Sequence, residues 1–220
     1  MTKLLAFLFI IFLFAVSCKK ETEEPLDPGF DYIPVEEGLY QIYSVDSIVW
    51  NDYNTTIDTF SYKVKMLIST KYTDNAGNES YKWKKFVKID SKPWQFSDNY
   101  SLSKTNTYYQ TNIENIRYVD LIFPVTAGST WDYNAMNIQN EFSSIYTDID
   151  FSKDVLGKTY DNCVKANFQE EVNLIQEFVH YAIYSRGVGL IYSKNIHKEK
   201  KSSGLRGYNV IYKIEENGKE

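Results

Sequence analysis

The chain has 220 residues, 24 Lys and Arg against 29 Asp and Glu for a formal net charge of −5, and an unusual share of Tyr (19) and Phe (13). The mild acidic excess argues against a nucleic-acid partner, which requires a concentrated basic surface. Only two cysteines are present; with the first assigned to an anchor below, no intramolecular disulfide is possible and the fold must hold by packing.

Residues 1–17 carry one charge, Lys3, and then the apolar run Leu4 to Val16. Thirteen residues rise about 20 Å as a helix, short of the roughly 30 Å hydrocarbon core of a bilayer, so the run suits the apolar region of a signal peptide. Ala15, Val16, Ser17 and Cys18 resemble the lipobox of bacterial lipoproteins, with Ala15 in place of the usual Leu. The resemblance implies cleavage before Cys18 and lipid attachment to its thiol, including palmitate-type acyl chains. Several tens of buried methylenes at ~0.8 kcal/mol each make such an anchor effectively permanent. The partner implied is a membrane.

Removing residues 1–17 leaves 23 basic against 29 acidic residues. The next segment, 18–34, is rich in proline and charge, cannot bury enough apolar surface to offset ordering entropy, and reads as a flexible tether. Its opening run, Lys19 to Glu24, resembles the export signal that Bacteroidota lipoproteins use to reach the outer face of the outer membrane; a plain solvated spacer is the alternative. Residues 35–220 then read as one all-β domain.

Within that domain the dominant period is two. Phe60, Tyr62, Val64, Met66, Ile68 and Tyr72 alternate with Ser61, Lys63, Lys65, Ser69 and Lys71, which gives one core face and one wet face. After the turn-forming residues 74–78 the period resumes through Tyr81, Trp83, Val87 and Ile89, predicting a long antiparallel hairpin. Pairing Tyr72 with Glu79 aligns the two core faces. Further strands are expected at 39–50, 100–110, 116–123, 130–133, 142–151, 160–169, 176–185, 190–197 and 208–214, all rich in Tyr, Phe, Val, Ile and Thr. The segment 170–184 has a competing helical reading, but Val179, Tyr181 and Ile183 alternate with His180 and Ala182 and favour strand. The fold class expected is all-β, a curved or partly closed antiparallel sheet of half-barrel or sandwich-like form.

The segment FPVTAGSTWDYNAMN (Phe123 to Asn137), with Trp131, Asn134 and Asn137 at its heart, and EFVHYAIYSRGVGLIYSK (Glu177 to Lys194) resemble a family of tyrosine-rich Bacteroidota lipoproteins. The resemblance implies an envelope location and an all-β fold, and no activity, cofactor or catalytic residue. On their own chemistry, Trp131 reads as a core plug and Asn134 and Asn137 as turn caps, while Gly128, Gly187 and Gly189 supply positive φ where strands turn.

No G-x-S-x-G, H-E-x-x-H, C-x-x-C or phosphate-binding glycine loop is present, so the expectation is a non-enzyme with no cofactor and no metal. Asp148, Asp150 and Asp154 have the look of a calcium loop, but Lys153 and Thr159 occupy positions that such a loop gives to Gly and Glu. Cys163 reads as a small core hydrophobe. A hairpin through Gly187 and Val188 pairs Tyr184 with Ile191, His180 with Asn195 and Phe178 with His197, leaving the two histidines diagonal on one face. The better binding candidate is a stripe of Lys63, Lys65, Lys71, Lys82, Lys84 and Lys88 on the wet face of the first hairpin. Like charges facing across strands are unfavourable, which invites an anionic glycan, lipopolysaccharide phosphate or an acidic partner protein, unless neighbouring acids such as Asp46, Asp52 or Asp58 neutralise them. Exposed Trp50 or Trp94 stacking on sugar rings would add to a glycan site. The functional expectation is a lipid-anchored, non-enzymatic binding or structural module. The alternative is an envelope hydrolase acting on glycan or ester substrates.

Overall fold

Alternating aromatic, β-branched and polar residues become strand along nearly the whole domain. In the computed structural model, which describes residues 27–220, twelve strands form one sheet. They are β1 (Leu39–Asn51), β2 (Thr56–Thr73), β3 (Glu79–Lys88), β4 (Gln95–Lys104), β5 (Tyr108–Ile113), β6 (Ile116–Ile122), β7 (Thr130–Asp132), β8 (Ser143–Val155), β9 (Lys158–Val172), β10 (Gln176–Ser185), β11 (Gly189–Lys201) and β12 (Gly204–Lys219). The signal segment, Cys18 and the start of the tether lie outside the described residues.

The strand order is β6-β5-β4-β3-β2-β1-β12-β11-β10-β9-β8-β7. One meander, β1 to β6, therefore runs outward from the middle of the sheet, and a second, β7 to β12, returns to it. The two halves join where β1 pairs antiparallel with β12, through Tyr43 opposite Ile214 and Val45 opposite Tyr212. The sheet curls into a nearly closed barrel, which fixes the expected all-β class as barrel and excludes a sandwich.

The two edge strands, β6 and β7, meet through a mixed seam. Val119 N donates to Tyr133 O at 2.9 Å, and the Trp131 indole N–H donates to Val119 O at 2.7 Å. Asn137 Nδ2 donates to Arg117 O at 2.7 Å and to Asn134 Oδ1 at 3.0 Å, while Asn134 Nδ2 reaches Asn140 O. The Tyr146 hydroxyl sits against Ile122, donating to its carbonyl at 2.8 Å and accepting from its amide at 2.9 Å. Barrels abolish exposed sheet edges; here side chains supply much of the closure. Trp131 is thus both the expected core plug and a seam donor, and Asn134 and Asn137 do more than cap a turn.

Tyr43, Val45, Val64, Ile191 and Ile214 are essentially fully buried and form one end of the core. Tyr32, Leu121, Tyr146, Val164 and Ala166 belong to the other. Tyr32 comes from residues 27–34, which the sequence reading assigns to the tether. Instead this stretch packs on the barrel around a 3₁₀ turn, Phe30–Tyr32. Arg186 pairs with Asp27 and Asp31 and lays its guanidinium 4.4 Å from the centre of the Tyr32 ring. Lys104 Nζ donates to the carbonyls of Phe30 and Ile33 at 2.9 Å. The segment is a plug, and the domain begins earlier than residue 35.

Three strand expectations need correction. The run 100–110 is two strands, because Thr105 Oγ1 accepts from the amides of Thr107 and Tyr108 and turns the chain. In the first hairpin, Lys63 lies opposite Lys88 and Leu67 opposite Lys84 as expected, but a bulge between Ile68 and Thr70 shifts the rest, so Thr70 faces Lys82 and Thr73 faces Glu79. In the β10–β11 hairpin, His180 faces Asn195 and Phe178 faces His197, whereas a second bulge puts Tyr184 opposite Leu190. Segment 170–184 is strand on both sides of a tight turn in which Asn173 Oδ1 accepts from the amides of Ile175 and Gln176.

Candidate functional site

Between the plug and the barrel wall lies a cavity of about 270 Å³. Ile33, Pro34 and Val35 of the plug close one side; Met66, Ile68, Leu102 and Leu190 contribute aliphatic surface; Trp83, Tyr109, Tyr133, Phe168 and Tyr184 contribute aromatic surface. Such a mostly apolar hollow with a few polar groups is the ordinary form of a small-molecule site.

The polar lining includes Asp120, Thr111 and His180, together with Gln41, Ser193 and Asn217; among the described residues no Lys or Arg lines the cavity. Asp120 arrives there through a bulge. Tyr109 pairs with Leu121 and Gln110 with Val119, so Asp120 is the extra residue of β6. Its Oδ2 is buried and has no hydrogen-bond partner, and the same holds for Thr111 Oγ1. Burial lifts the Asp120 carboxyl to about 7, opposed by the nearby Thr111 hydroxyl and amide; that hydroxyl stands close without reaching hydrogen-bond geometry. Tyr109, Tyr133 and Tyr184 are held well above the ordinary tyrosine range, first by burial and then by the Asp120 charge. Burial pushes His180 down to about 4, so it is neutral at physiological pH, with Phe168 4.7 Å and Tyr133 6.1 Å away, centre to centre.

The residues expected from sequence fare differently. His180 lines the cavity, as Asp120 does, whereas His197 is stacked between Phe178 at 4.3 Å and Tyr208 at 5.8 Å with the Glu199 carboxylate nearby. Asp148, Asp150 and Asp154 accept from Thr147, Tyr32 and Thr159 respectively and do not converge; among the described residues no group of three or more His, Cys, Asp or Glu could hold a metal ion. Cys163 is fully buried and its Sγ lies 3.2 Å from Tyr160 O.

Lys63 and Lys65 lie opposite the Val64, Met66 and Ile68 face and share their side of the sheet with Lys82, Lys84 and Lys88, but the bulge between Ile68 and Thr70 sets Lys71 across from buried Tyr81 and takes it out of the stripe. Lys63 and Lys65 pair with Glu215 and Glu220 of the C-terminal segment, and Lys71 pairs with Glu79. The neutralising acids are therefore not Asp46, Asp52 and Asp58: Asp46 serves Lys213 and Ser61, and Asp52 accepts from Ser203. Lys82, Lys84 and Lys88 have no ion-pair partner among the described residues. Lys82 and Lys84 flank a more open outer groove of about 640 Å³ with Asn99, Ser101 and Asn112. Trp50 packs under Lys198, 5.3 Å from ring centre to Nζ.

Neither protein-family models nor the curated proteins give a match to this chain. Among solved structures it is similar to a crystal structure from Parabacteroides distasonis ATCC 8503, named as a candidate lipoprotein. The identity is 13%, the TM-score 0.39, and the match covers 86% of this chain and 100% of the other. A fold-level likeness does not carry function, which must be argued from the site.

Proposed function

We propose that this chain is a lipid-anchored cell-envelope protein, displayed on the outer membrane, whose barrel interior holds a small ligand without chemically transforming it. The observation that carries the binding role is the cavity behind the plug, walled by aromatic and aliphatic side chains and furnished with an unpartnered polar group. The lipobox at Cys18 and the charged run after it support the anchor and the surface display. His180 and His197 lie apart, one in the cavity and the other stacked between Phe178 and Tyr208, which supports binding over a hydrolytic site that uses the two together.

The binding role is tested with tert-butylbenzene, a neutral probe of fitting size, added to the full chain in lipid nanodiscs. A ligand that binds only the folded state raises the melting temperature with concentration. Ala182 is buried and lines the cavity, so Ala182→Leu should abolish the rise; an equal rise in both proteins would refute an interior site. For the anchor, Cys18→Ser should move the protein from the membrane fraction to the soluble fraction or leave it unprocessed.

The outer groove supports a second contact, to anionic glycan or lipopolysaccharide phosphate: Lys82 and Lys84 form no ion pair among the described residues and outnumber the one acid of the groove, Glu114, while Asn99, Ser101 and Asn112 offer hydrogen bonds. Lys82→Glu with Lys84→Glu should weaken retention on immobilised lipopolysaccharide, and retention by the unmutated chain should fall with salt. Retention indifferent to both removes this contact.

A further inference from the structure

We propose that the cavity is built for an organic cation: an ammonium group on an apolar or aromatic body, with Asp120 as counter-ion and Tyr109, Tyr133 and Tyr184 as its cage. The inference rests on the binding role above and specifies its chemistry.

A carboxyl group taken out of water is stable only when something donates to it or it keeps its proton. Among the described residues, Asp120 Oδ2 is buried with no partner, and no Lys or Arg lines the cavity to supply one. Lys104, beneath the plug, is committed to the carbonyls of Phe30 and Ile33. An anionic guest such as a fatty carboxylate would meet a carboxyl with no compensating base. A neutral hydrocarbon would fill the space and leave Oδ2 unpaired. A cation satisfies the oxygen and replaces the missing positive charge.

The walls point the same way. Aromatic faces carry negative potential and attract ammonium groups, most strongly where water is excluded. Tyr109 on β5, Tyr133 after β7 and Tyr184 on β10 line the same cavity as Asp120 on β6, so these side chains and the carboxyl bound one space. Size sets the limit. A dry cavity of roughly 150 Å³ holds benzene, so about 270 Å³ holds a ring with a small ammonium head, on the order of ten to fifteen non-hydrogen atoms.

The test compares phenyltrimethylammonium with its uncharged isostere tert-butylbenzene and with benzoate, using the full chain in nanodiscs and following tryptophan fluorescence, to which Trp83 in the cavity wall contributes. Phenyltrimethylammonium should bind saturably and at least tenfold more tightly than tert-butylbenzene, and benzoate should not bind. Asp120→Asn should reduce the cation to the level of the neutral probe while leaving tert-butylbenzene within about twofold. In the unmutated protein the cation should bind at least fivefold more weakly at pH 5.5 than at pH 8. The groups facing Asp120 do not titrate across that window: Thr111 is neutral, the three tyrosines stay protonated, and His180 stays uncharged. The pH comparison decides the matter if Asp120→Asn does not fold. Equal affinity for cation and isostere, or cation binding unchanged by both Asp120→Asn and pH, overturns the cation assignment and leaves an apolar site standing. Failure of both phenyltrimethylammonium and tert-butylbenzene to bind overturns the interior site itself.

Discussion

At the scale of single residues, barrel closure depends on a few donors. Trp131→Phe keeps most of the ring packing against Tyr146, 4.6 Å away centre to centre, but removes the bond to Val119 O. Leaving that buried carbonyl unpaired should cost about 1–3 kcal/mol, read as a lower urea midpoint. Asn137→Ala, at a more exposed part of the seam, should cost less, about 0.5–1 kcal/mol. Cys163 behaves oppositely to a reactive thiol: burial raises its pKa above the ordinary value, so iodoacetamide should leave it unmodified in the native state and label it once urea unfolds the chain. Its core role was legible from the strand-like run NCVKANF. Asp120 was not legible. In YVDLIF it occupies an ordinary outward position of an alternating strand, and only the bulge opposite Tyr109 and Gln110 turns it into the cavity. The one local hint is an acid flanked on both sides by apolar residues.

At the scale of elements, the period of two exposed most strands because burial on one face and solvent on the other impose it. The hairpin β2–β3 shows both the reach and the limit of that signal. Its faces and its Lys63–Lys88 pairing follow from alternation, whereas the bulge beyond Ile68 does not, since inserting one residue leaves composition unchanged. The turn at Thr105 was missed for a related reason: threonine is a good strand former, and its turn-forming bond becomes visible only in three dimensions. The pairing of β1 with β12 gave no local signal at all. Close approach of strands also creates sharp requirements for glycine. Gly207 has φ +136°, and a Cβ there would lie 1.8 Å from His197 O, a backbone atom. Gly187 has φ +71° in open space. Gly187→Ala should therefore cost about 1–2 kcal/mol from conformation alone, while Gly207→Ala should cost more and displace β11 from β12, seen as faster hydrogen exchange in both strands.

At the scale of the whole molecule, the interior carboxyl opposes folding, and the sign of its pH dependence follows from its raised pKa. Below about pH 4 Asp120 is protonated in the folded and unfolded chain alike and contributes nothing. Between there and about 7 the unfolded chain ionises while the native state holds its proton, so stability falls as pH rises, and the penalty is complete above the folded value of about 7. His180, depressed to about 4, works in the other direction: its contribution is intact above about 6.5 and is lost as pH falls toward 4. Subtracting the two proteins isolates the acid. Asp120→Asn should be more stable than the unmutated chain at pH 8 and nearly equal to it at pH 4, measured by urea unfolding. A group that weakens the empty barrel fits a binding residue better than a packing one.

The seam in the middle of the sheet also governs how the molecule can be made. Each meander, β1 to β6 and β7 to β12, pairs neighbours in sequence and can form locally, but the β1–β12 ladder joins residues as distant as Leu39 and Lys219. Closing so long a loop is entropically slow, and folding rates fall as such distant contacts dominate. Until Gly204–Lys219 docks, β1 and β11 both present open edges, and two half-sheets with unpaired strands are the form in which a chain of this kind aggregates. For a chain exported as proposed above, that hazard precedes the arrival of the last strand and would favour a holding chaperone or rapid delivery to the membrane.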